Sequence, residues 1–240
     1  CFVQDERQLF VVCVYNEHDR LLGIAPWYIA KIKVGPWKMR QISFLGNPET
    51  ASDYLDVFTE RGREREVAYF LYDYTFNEVA QLWDCMNLQD VRAESLFLLN
   101  FVNKHYSHGR HLEMSRGSFC PIIYLPKKEE EFYSQISSSR SKRFRQDLRT
   151  LKKTGVVEVK TCVDEGLGGA IDDFFMLYKE KTNWDGKDLH RFMKKLATNL
   201  DKRTCLQIDF LMANKNCVGG LLHLRYGNSL SLYLMGVDKT

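Results

Sequence analysis

Residues 206–237 read LQIDFLMANKNCVGGLLHLRYGNSLSLYLMGV and hold three apolar runs separated by short polar turns. The turns are Asn-Lys-Asn at 214–216 and Gly-Asn at 227–228, residue types that reverse a chain tightly. Apolar runs of strand length joined by tight turns form antiparallel hairpins. The predicted strands cover residues 206–212, 217–226 and 229–237.

The first half of the chain repeats this arrangement. Apolar runs at 9–15 and 21–32 flank an Asn-containing turn, and a third run follows at 39–45. In both halves a glycine lies near the end of the third strand, Gly46 in the first half and Gly236 in the second. The shared order indicates a weak internal duplication.

Helices and further strands alternate in the remaining sequence. The spacing of apolar residues predicts a mixed α/β fold (α+β, with helices packed on twisted sheets) in two halves, residues 1–118 and 119–240. The predicted helices cover 63–80, 93–106, 127–136, 170–181 and 189–199, the predicted strands cover 54–58, 82–88, 111–115, 121–125 and 156–162, and a flexible break is expected at 166–169.

A further helix is predicted over residues 138–154. Serines at 137–139 supply N-cap oxygens, and Gly155 supplies a helix stop. Apolar side chains recur at i, i+4 and i+7, so one face is expected to pack and Phe144 is expected to face the core. This apolar stripe comprises Phe144, Leu148 and Leu151.

The same helix is the most basic segment of the chain. It carries seven Arg and Lys side chains against one carboxylate, whereas the whole chain has a formal net charge of +3. One interpretation is a solvated helix face, and a second is a cationic surface on which Arg143 and Arg145 bind an anionic substrate or a phosphate-bearing cofactor. A third is a nucleic-acid or membrane surface, which the scarcity of accompanying aromatic side chains disfavours.

Composition excludes several classes of protein. No run of about 18 apolar residues occurs, so no transmembrane helix is predicted. The seven cysteines are scattered, which predicts neither a disulfide framework nor a zinc site and fits a reducing cytoplasm. His105, His108 and His111 lack enough further ligands at suitable spacing, so no metal is expected. Because the first residue is not methionine and both ends adjoin strand-like runs, the chain is expected to be a fragment truncated at both termini.

Five segments, taken in order, resemble the CelD-like acyltransferases of the GNAT superfamily. That family consists of tandem GNAT folds like those of the FemABX peptidyltransferases and is associated with bacterial polysaccharide and cell-envelope biosynthesis. The resemblance therefore implies two tandem GNAT-like halves. The segments are residues 22–28, 52–56, 121–126, the basic helix 138–154, and 232–238.

The resemblance implies where an acyl-CoA would bind. In GNAT folds the strand equivalent to 230–237 pairs its backbone with the pantetheine arm, so Leu234, Met235, Gly236 and Val237 are the expected cofactor-binding residues, with Met235 supplying an amide to the thioester oxygen. The equivalent loop of the first half, residues 59–64, contains two glutamates that oppose a pyrophosphate. The active site is therefore expected in the second half.

Three side chains near that strand are candidate catalytic groups. Tyr233 is suited to protonate the departing thiolate, Asp238 to orient or deprotonate the acceptor amine, and His223 to act as a base. Each also has a structural interpretation: Tyr233 as a packed strand residue, Asp238 as a turn cap, and His223 as a hydrogen-bonded residue within a sheet.

Asp53 and Tyr54 are candidate substrate-binding residues. The resemblance implies that they line a groove between the halves, although Asp53 is equally typical of a turn. The chain also departs from the family, whose helix after the basic one carries a Leu-His-x-x-Arg-Trp motif: this sequence has Leu177-Tyr178 there, with Trp184 further on. Roles linked to that His and Trp are therefore not carried over.

The function predicted from these residues is N-acyl transfer from acetyl-CoA or another acyl-CoA to an amine by a cytoplasmic enzyme, without a metal. The amine would attack the thioester directly. Two alternatives remain open: an aminoacyl-tRNA-dependent transferase like the FemABX proteins, with tRNA as a partner, and a non-catalytic binding module with a GNAT shell. A DNA partner is not expected.

Overall fold

The computed structural model describes residues 7–46, 50, 52–153, 155–182, 186–200 and 204–238. The chain divides between Pro121 and Ile122 into two compact units, called here the first unit and the second unit. Thr154, at the predicted end of the basic helix, and Trp184 lie outside the described residues.

The first unit is built on a five-stranded sheet with the order β1-β2-β3-β5, in which a short β4 pairs with the start of β2. Strands β1, β2 and β3 are antiparallel, and β3 runs parallel to β5. The predicted strands 9–15, 21–32 and 39–45 are confirmed. The strands are β1 (Arg7–Tyr15), β2 (Leu21–Val34), β3 (Trp37–Phe44), β4 (Phe58–Thr59) and β5 (Cys85–Met86).

Two helices cover one face of this sheet. Helix α1 (Glu64–Asp73) continues into a π-helical turn (Tyr74–Glu78). Helix α2 (Leu96–Ser107) is preceded by the N-cap residue Ser95, whose hydroxyl accepts a hydrogen bond from the Leu98 amide at 3.0 Å. A capped helix start satisfies an amide that would otherwise lack a partner. The core beneath the helices includes Trp27, Phe44, Leu71, Tyr72, Phe97 and Phe101.

Several predicted strands of the irregular regions were wrong. In the segment predicted at 54–58 only Phe58 joins the sheet, while Leu55 forms an isolated bridge with Val91. In the segment predicted at 82–88 only Cys85 and Met86 pair with a neighbouring strand. The segments 111–115 and 121–125 form no strand. From Ile122 to Leu125 the side chains are 68–82 % exposed, so an apolar pattern without a neighbouring strand does not make a sheet.

The second unit holds an antiparallel four-stranded sheet in the order β6-β7-β8-β9. Positive φ angles at Asn214 and Lys215 (51° and 70°) form the tight turn between β7 and β8, as in a type I′ hairpin. The three strands predicted from 206–237 and the strand at 156–162 are confirmed. The strands are β6 (Val157–Cys162), β7 (Thr204–Ala213), β8 (Asn216–Tyr226) and β9 (Ser229–Val237).

Helix α5 (Leu167–Thr182) packs on β7, β8 and β9 and also contacts helix α6 (Lys187–Asn199). The core between α5 and the sheet includes Ile171, Phe174, Met193, Leu206, Ile208 and Leu222. The predicted break at 166–169 was wrong, since α5 already includes Gly168 and Gly169. Packing of the helix overrides the weak helical propensity of glycine.

Two helices precede this sheet, α3 (Glu129–Gln135) and the basic helix α4 (Ser138–Lys153). No described side chain of α4 is buried, and Phe144 is 52 % exposed rather than facing the core. Its ring packs instead against Phe132 and Tyr133 of α3. The mixed α/β class predicted from the sequence is confirmed, and in the described part no helix has the length and apolarity needed to cross a membrane.

Candidate active site

Strand β9 is an edge of its sheet, because among the described strands only β8 pairs with it. The Asp238 amide donates to the Val218 carbonyl at 3.1 Å. In an antiparallel ladder, residues that bond to the neighbouring strand alternate with residues whose backbone groups point away. The alternation therefore directs the backbone N–H and C=O groups of Met235 and Val237 to the outer edge.

The β8–β9 ladder contains a β-bulge at Tyr233. Leu222 lies opposite Leu234 and His223 lies opposite Leu232, so Tyr233 is an additional residue in β9. A bulge bends its strand and increases the local twist. The outward-facing part of β9 at Met235 thus follows immediately after a bend.

Gly236 allows α5 to approach β9 closely. A Cβ atom at this position would lie 2.9 Å from Leu177 Cβ and 3.0 Å from the Tyr178 backbone N. Both distances are shorter than ordinary van der Waals contact, so a side chain would displace the helix. Leu234, which is also buried, packs in the same core, and among the four predicted cofactor-binding residues only Met235 and Val237 have exposed side chains.

A polar cluster lies on the face of the sheet that points away from α5. His223 is buried, and its Nε2 is 3.3 Å from Asp209 Oδ2. The Asp209 carboxylate also accepts hydrogen bonds from Gln207 Nε2 (2.8 Å) and Thr161 Oγ1 (2.6 Å). The strand register explains the cluster, because Thr161 lies opposite Asp209 and Gln207 lies opposite His223.

His223 has the properties of a buried base. Burial lowers its pKa, and the nearby charge of Asp209 opposes that shift in part. Its Nδ1 is buried without a hydrogen-bond partner among the described residues. A neutral imidazole whose Nε2 faces a carboxylate keeps an acceptor lone pair on Nδ1. Sequence reasoning singled out His223 but missed Asp209, Gln207 and Thr161.

The remaining predicted residues of the second unit lie at different places. Tyr233 is partly buried against the core, and Asp238 directly follows β9. Arg143 and Arg145 are both exposed on α4. Arg143 Nε lies 3.9 Å from Asp147 Oδ2. The Arg145 guanidinium carbon lies 4.4 Å from the Tyr133 ring centroid.

Asp53 and Tyr54 belong to the first unit, and both are exposed. Tyr54 has a φ of +58°, and the Arg92 guanidinium lies 5.6 Å from the centroid of its ring. A hydrogen bond with the Cys120 thiol raises the pKa of Tyr54. Their role in substrate binding stays a prediction.

The histidines of the first unit make local contacts. The His105 ring lies 2.9 Å from the His111 carbonyl oxygen, and His108 Nδ1 lies 2.8 Å from the Lys104 carbonyl oxygen. No group of three His, Cys, Asp or Glu side chains in the described ranges has an arrangement that could hold a metal ion.

The second unit is the part of the chain that resembles a known family. Residues 138–240 match the acetyltransferase (GNAT) domain. The match begins in α4, includes the whole sheet of the second unit and covers less than half of the chain. No curated protein matches the chain.

The match supports a general class of function for the second unit. The predicted resemblance to the GNAT superfamily is confirmed for residues 138–240, and this domain is associated with acyl transfer from acyl-CoA to an acceptor. The strand predicted to hold the acyl donor, β9, lies inside the matched range.

Proposed function

We propose that the second unit catalyses N-acyl transfer from an acyl-CoA to an amine at the outer edge of β9. The observation that carries the proposal is the pair of outward-facing residues Met235 and Val237, which follow a bulge within the segment that matches the GNAT domain. An extended ligand with amide groups binds an open strand edge as an added strand does. The pantetheine arm of an acyl-CoA is such a ligand.

The edge of β9 would orient the thioester. The outward N–H of Met235 or Val237 donates to an oxygen of the bound donor, and a donor held near the thioester carbonyl stabilises the negative charge that develops on that oxygen. The amine nitrogen then attacks the carbonyl carbon, the C–S bond breaks, and the thiolate leaves as the amide forms. The nitrogen loses a proton and the sulfur gains one, so the reaction requires no further reactant.

The two proton transfers have candidate groups on β8 and β9 or directly after β9. We assign the base to His223, because its neutral imidazole carries an unpartnered Nδ1 and lies beside Asp209, which favours the imidazolium once the proton arrives. Tyr233 is the candidate acid for the thiolate, and Asp238 is a candidate for orienting the amine. The acceptor that fits the implied family is an amine on a bacterial polysaccharide or envelope precursor.

Calorimetric titration with acetyl-CoA tests the donor site. Met235→Pro removes an outward N–H while leaving the bonds from β8 to Leu234 and Gly236 in place, and proline is tolerated on a strand edge. We expect saturable binding by the parent protein and at least about tenfold weaker binding by the variant, which corresponds to the net worth of roughly one hydrogen bond. Absence of acetyl-CoA binding by the parent protein would contradict the proposal.

Release of free thiol from acetyl-CoA, measured with a panel of amine acceptors, tests the base. His223→Gln keeps a polar side chain but removes the titrating group, so we expect the rate to fall by about 10²–10⁴ at saturating donor while donor affinity stays unchanged. Asp209→Asn is expected to lower the rate less and to move the acidic limb of the pH profile. Full activity of both variants would remove this dyad from the mechanism.

A further inference from the structure

A cleft of about 660 Å³ lies between α3 and α4 in the second unit. Three cationic side chains of α4 line it, together with serine hydroxyls and the Tyr133 ring. No carboxylate is among its lining residues in the part of the chain that the structure describes. The residues concerned are Tyr133, Ser138, Ser141, Lys142, Arg145 and Arg149.

The cationic residues of α4 divide between two faces. Lys142, Arg145 and Arg149 are spaced at i, i+3 and i+7, which places them on one side of the helix, and all three line the cleft. Arg140 and Arg143 lie on the same helix but are not lining residues. The basic helix therefore places three of its positive charges in one cleft. A helix face that is only solvated would not need such a concentration of charge.

The walls of the cleft are held together by ring contacts. The Arg145 guanidinium stacks at 4.4 Å from the centroid of the Tyr133 ring, and Phe144 packs edge-on against Phe132 and Tyr133 with centroids 6.3 Å and 6.0 Å apart. Burial, with a smaller contribution from a hydrogen bond to the Glu129 carboxylate, raises the pKa of the Tyr133 hydroxyl, so the hydroxyl stays protonated and adds no negative charge to the cleft at pH 7. A guanidinium already oriented by a ring loses less entropy when it binds a ligand.

We propose that this cleft binds the phosphate or pyrophosphate group of a small phosphorylated molecule. Guanidinium groups donate paired hydrogen bonds to phosphate oxygens, and the Ser138 and Ser141 hydroxyls add donors without adding negative charge. A concave site of this volume suits a small molecule. A nucleic-acid strand needs exposed rings for stacking, whereas the Tyr133 ring is already stacked with Arg145.

This binding site is separate from the proposed acyl-donor site, because the cleft lies between α3 and α4 and not at the edge of β9. The test of the cleft measures binding and requires no catalysis. The full chain is titrated calorimetrically with inorganic pyrophosphate at about 0.15 M salt, where charges more than roughly 8 Å apart are screened. The variant Arg145→Gln/Arg149→Gln removes two lining cations. The control variant Arg140→Gln/Lys153→Gln removes the same charge from the same helix at two positions that do not line the cleft.

We expect saturable pyrophosphate binding that weakens by at least about tenfold in the cleft variant, since each charge-assisted hydrogen bond is worth more than a neutral one, and by less than about twofold in the control. Far-UV circular dichroism checks that both variants keep their helices. Equal weakening in the two variants would overturn the proposal in favour of unspecific attraction. Binding of a single-stranded oligonucleotide without binding of pyrophosphate would also overturn it and indicate a nucleic-acid surface.

Discussion

Replacing Gly236 by alanine is expected to destabilise the second unit. The added Cβ would lie 2.9 Å from Leu177 Cβ, 3.0 Å from the Tyr178 backbone N and 3.1 Å from the Leu177 carbonyl carbon. Two of these atoms belong to the backbone of α5, so relief requires movement of the helix rather than rotation of a side chain. Overpacking of this kind costs roughly 1–3 kcal/mol.

Two other glycines of the same sheet provide a graded series. At Gly220 the nearest atoms are ring carbons of Phe174 and Phe210 at 3.1–3.3 Å, and at Gly219 the nearest atom is the Gly236 carbonyl oxygen at 3.5 Å. The Gly219 position has room for a Cβ, and alanine lowers the entropy of the unfolded chain, so Gly219→Ala is expected to be neutral or stabilising by about 0.5 kcal/mol. The predicted order of destabilisation is Gly236→Ala, then Gly220→Ala, then Gly219→Ala.

Urea unfolding followed by circular dichroism measures these free energies. Because the two units can unfold separately, hydrogen exchange of the α5 amides assigns each loss to the second unit. A Gly236→Ala variant with unchanged unfolding free energy and unchanged exchange in α5 would refute the close contact between this helix and β9.

Three further predictions concern pH and helix capping. Burial lowers the pKa of His223 in the folded state, so the unfolded chain binds the extra proton more readily and stability is expected to fall as the pH drops below about 6.5. Hydrogen bonds from Arg40 lower the pKa of Asp84 to about 2, so stability of the first unit is expected to decline as the pH falls from near 4 toward 2. Removing the N-cap of α2 by Ser95→Ala is expected to cost about 1 kcal/mol, because the Leu98 amide loses its acceptor.

Each of these predictions has a control in the same protein. Urea titrations across pH 5–8 compare the parent protein with His223→Gln, which is expected to lack the acidic loss of stability, and titrations across pH 2–5 make the same comparison for Asp84→Asn. A pH dependence that persists unchanged in either variant contradicts its assignment. For the cap, Ser107→Ala changes a serine at the other end of α2, and destabilisation equal to that of Ser95→Ala would argue against a specific capping role.

The strands that the sequence predicted well depend on local chemistry. The turn at Asn214 and Lys215 joins two apolar runs over a short distance, so residue types alone define that hairpin. The wrong predictions depended on distant partners instead. Residues 121–125 have the apolar pattern of a strand but no strand beside them, and Gly168 and Gly169 are helical because α5 packs on a sheet formed by residues far along the chain.

The candidate site was predictable only in part for the same reason. The expectation that β9 holds the acyl donor followed from the family resemblance, and His223 was visible as a polar residue within an apolar strand. Its neighbour Asp209 lies on another strand, and only the observed register brings the two together. A usable signal was nevertheless present, because Gln207 and Asp209 alternate with buried Leu206, Ile208 and Phe210 in β7. Polar residues on one side of such a strand indicate a polar face.

The bulge at Tyr233 also affects how readily β9 could pair with strands of other molecules. An open strand edge recruits strands from other molecules most readily when it is long, flat and regular. The additional residue interrupts β9 between Leu232 and Leu234, so a foreign strand in register with one side of the interruption is out of register with the other. The irregularity next to the proposed donor-binding edge is therefore also expected to hinder self-association into fibrils.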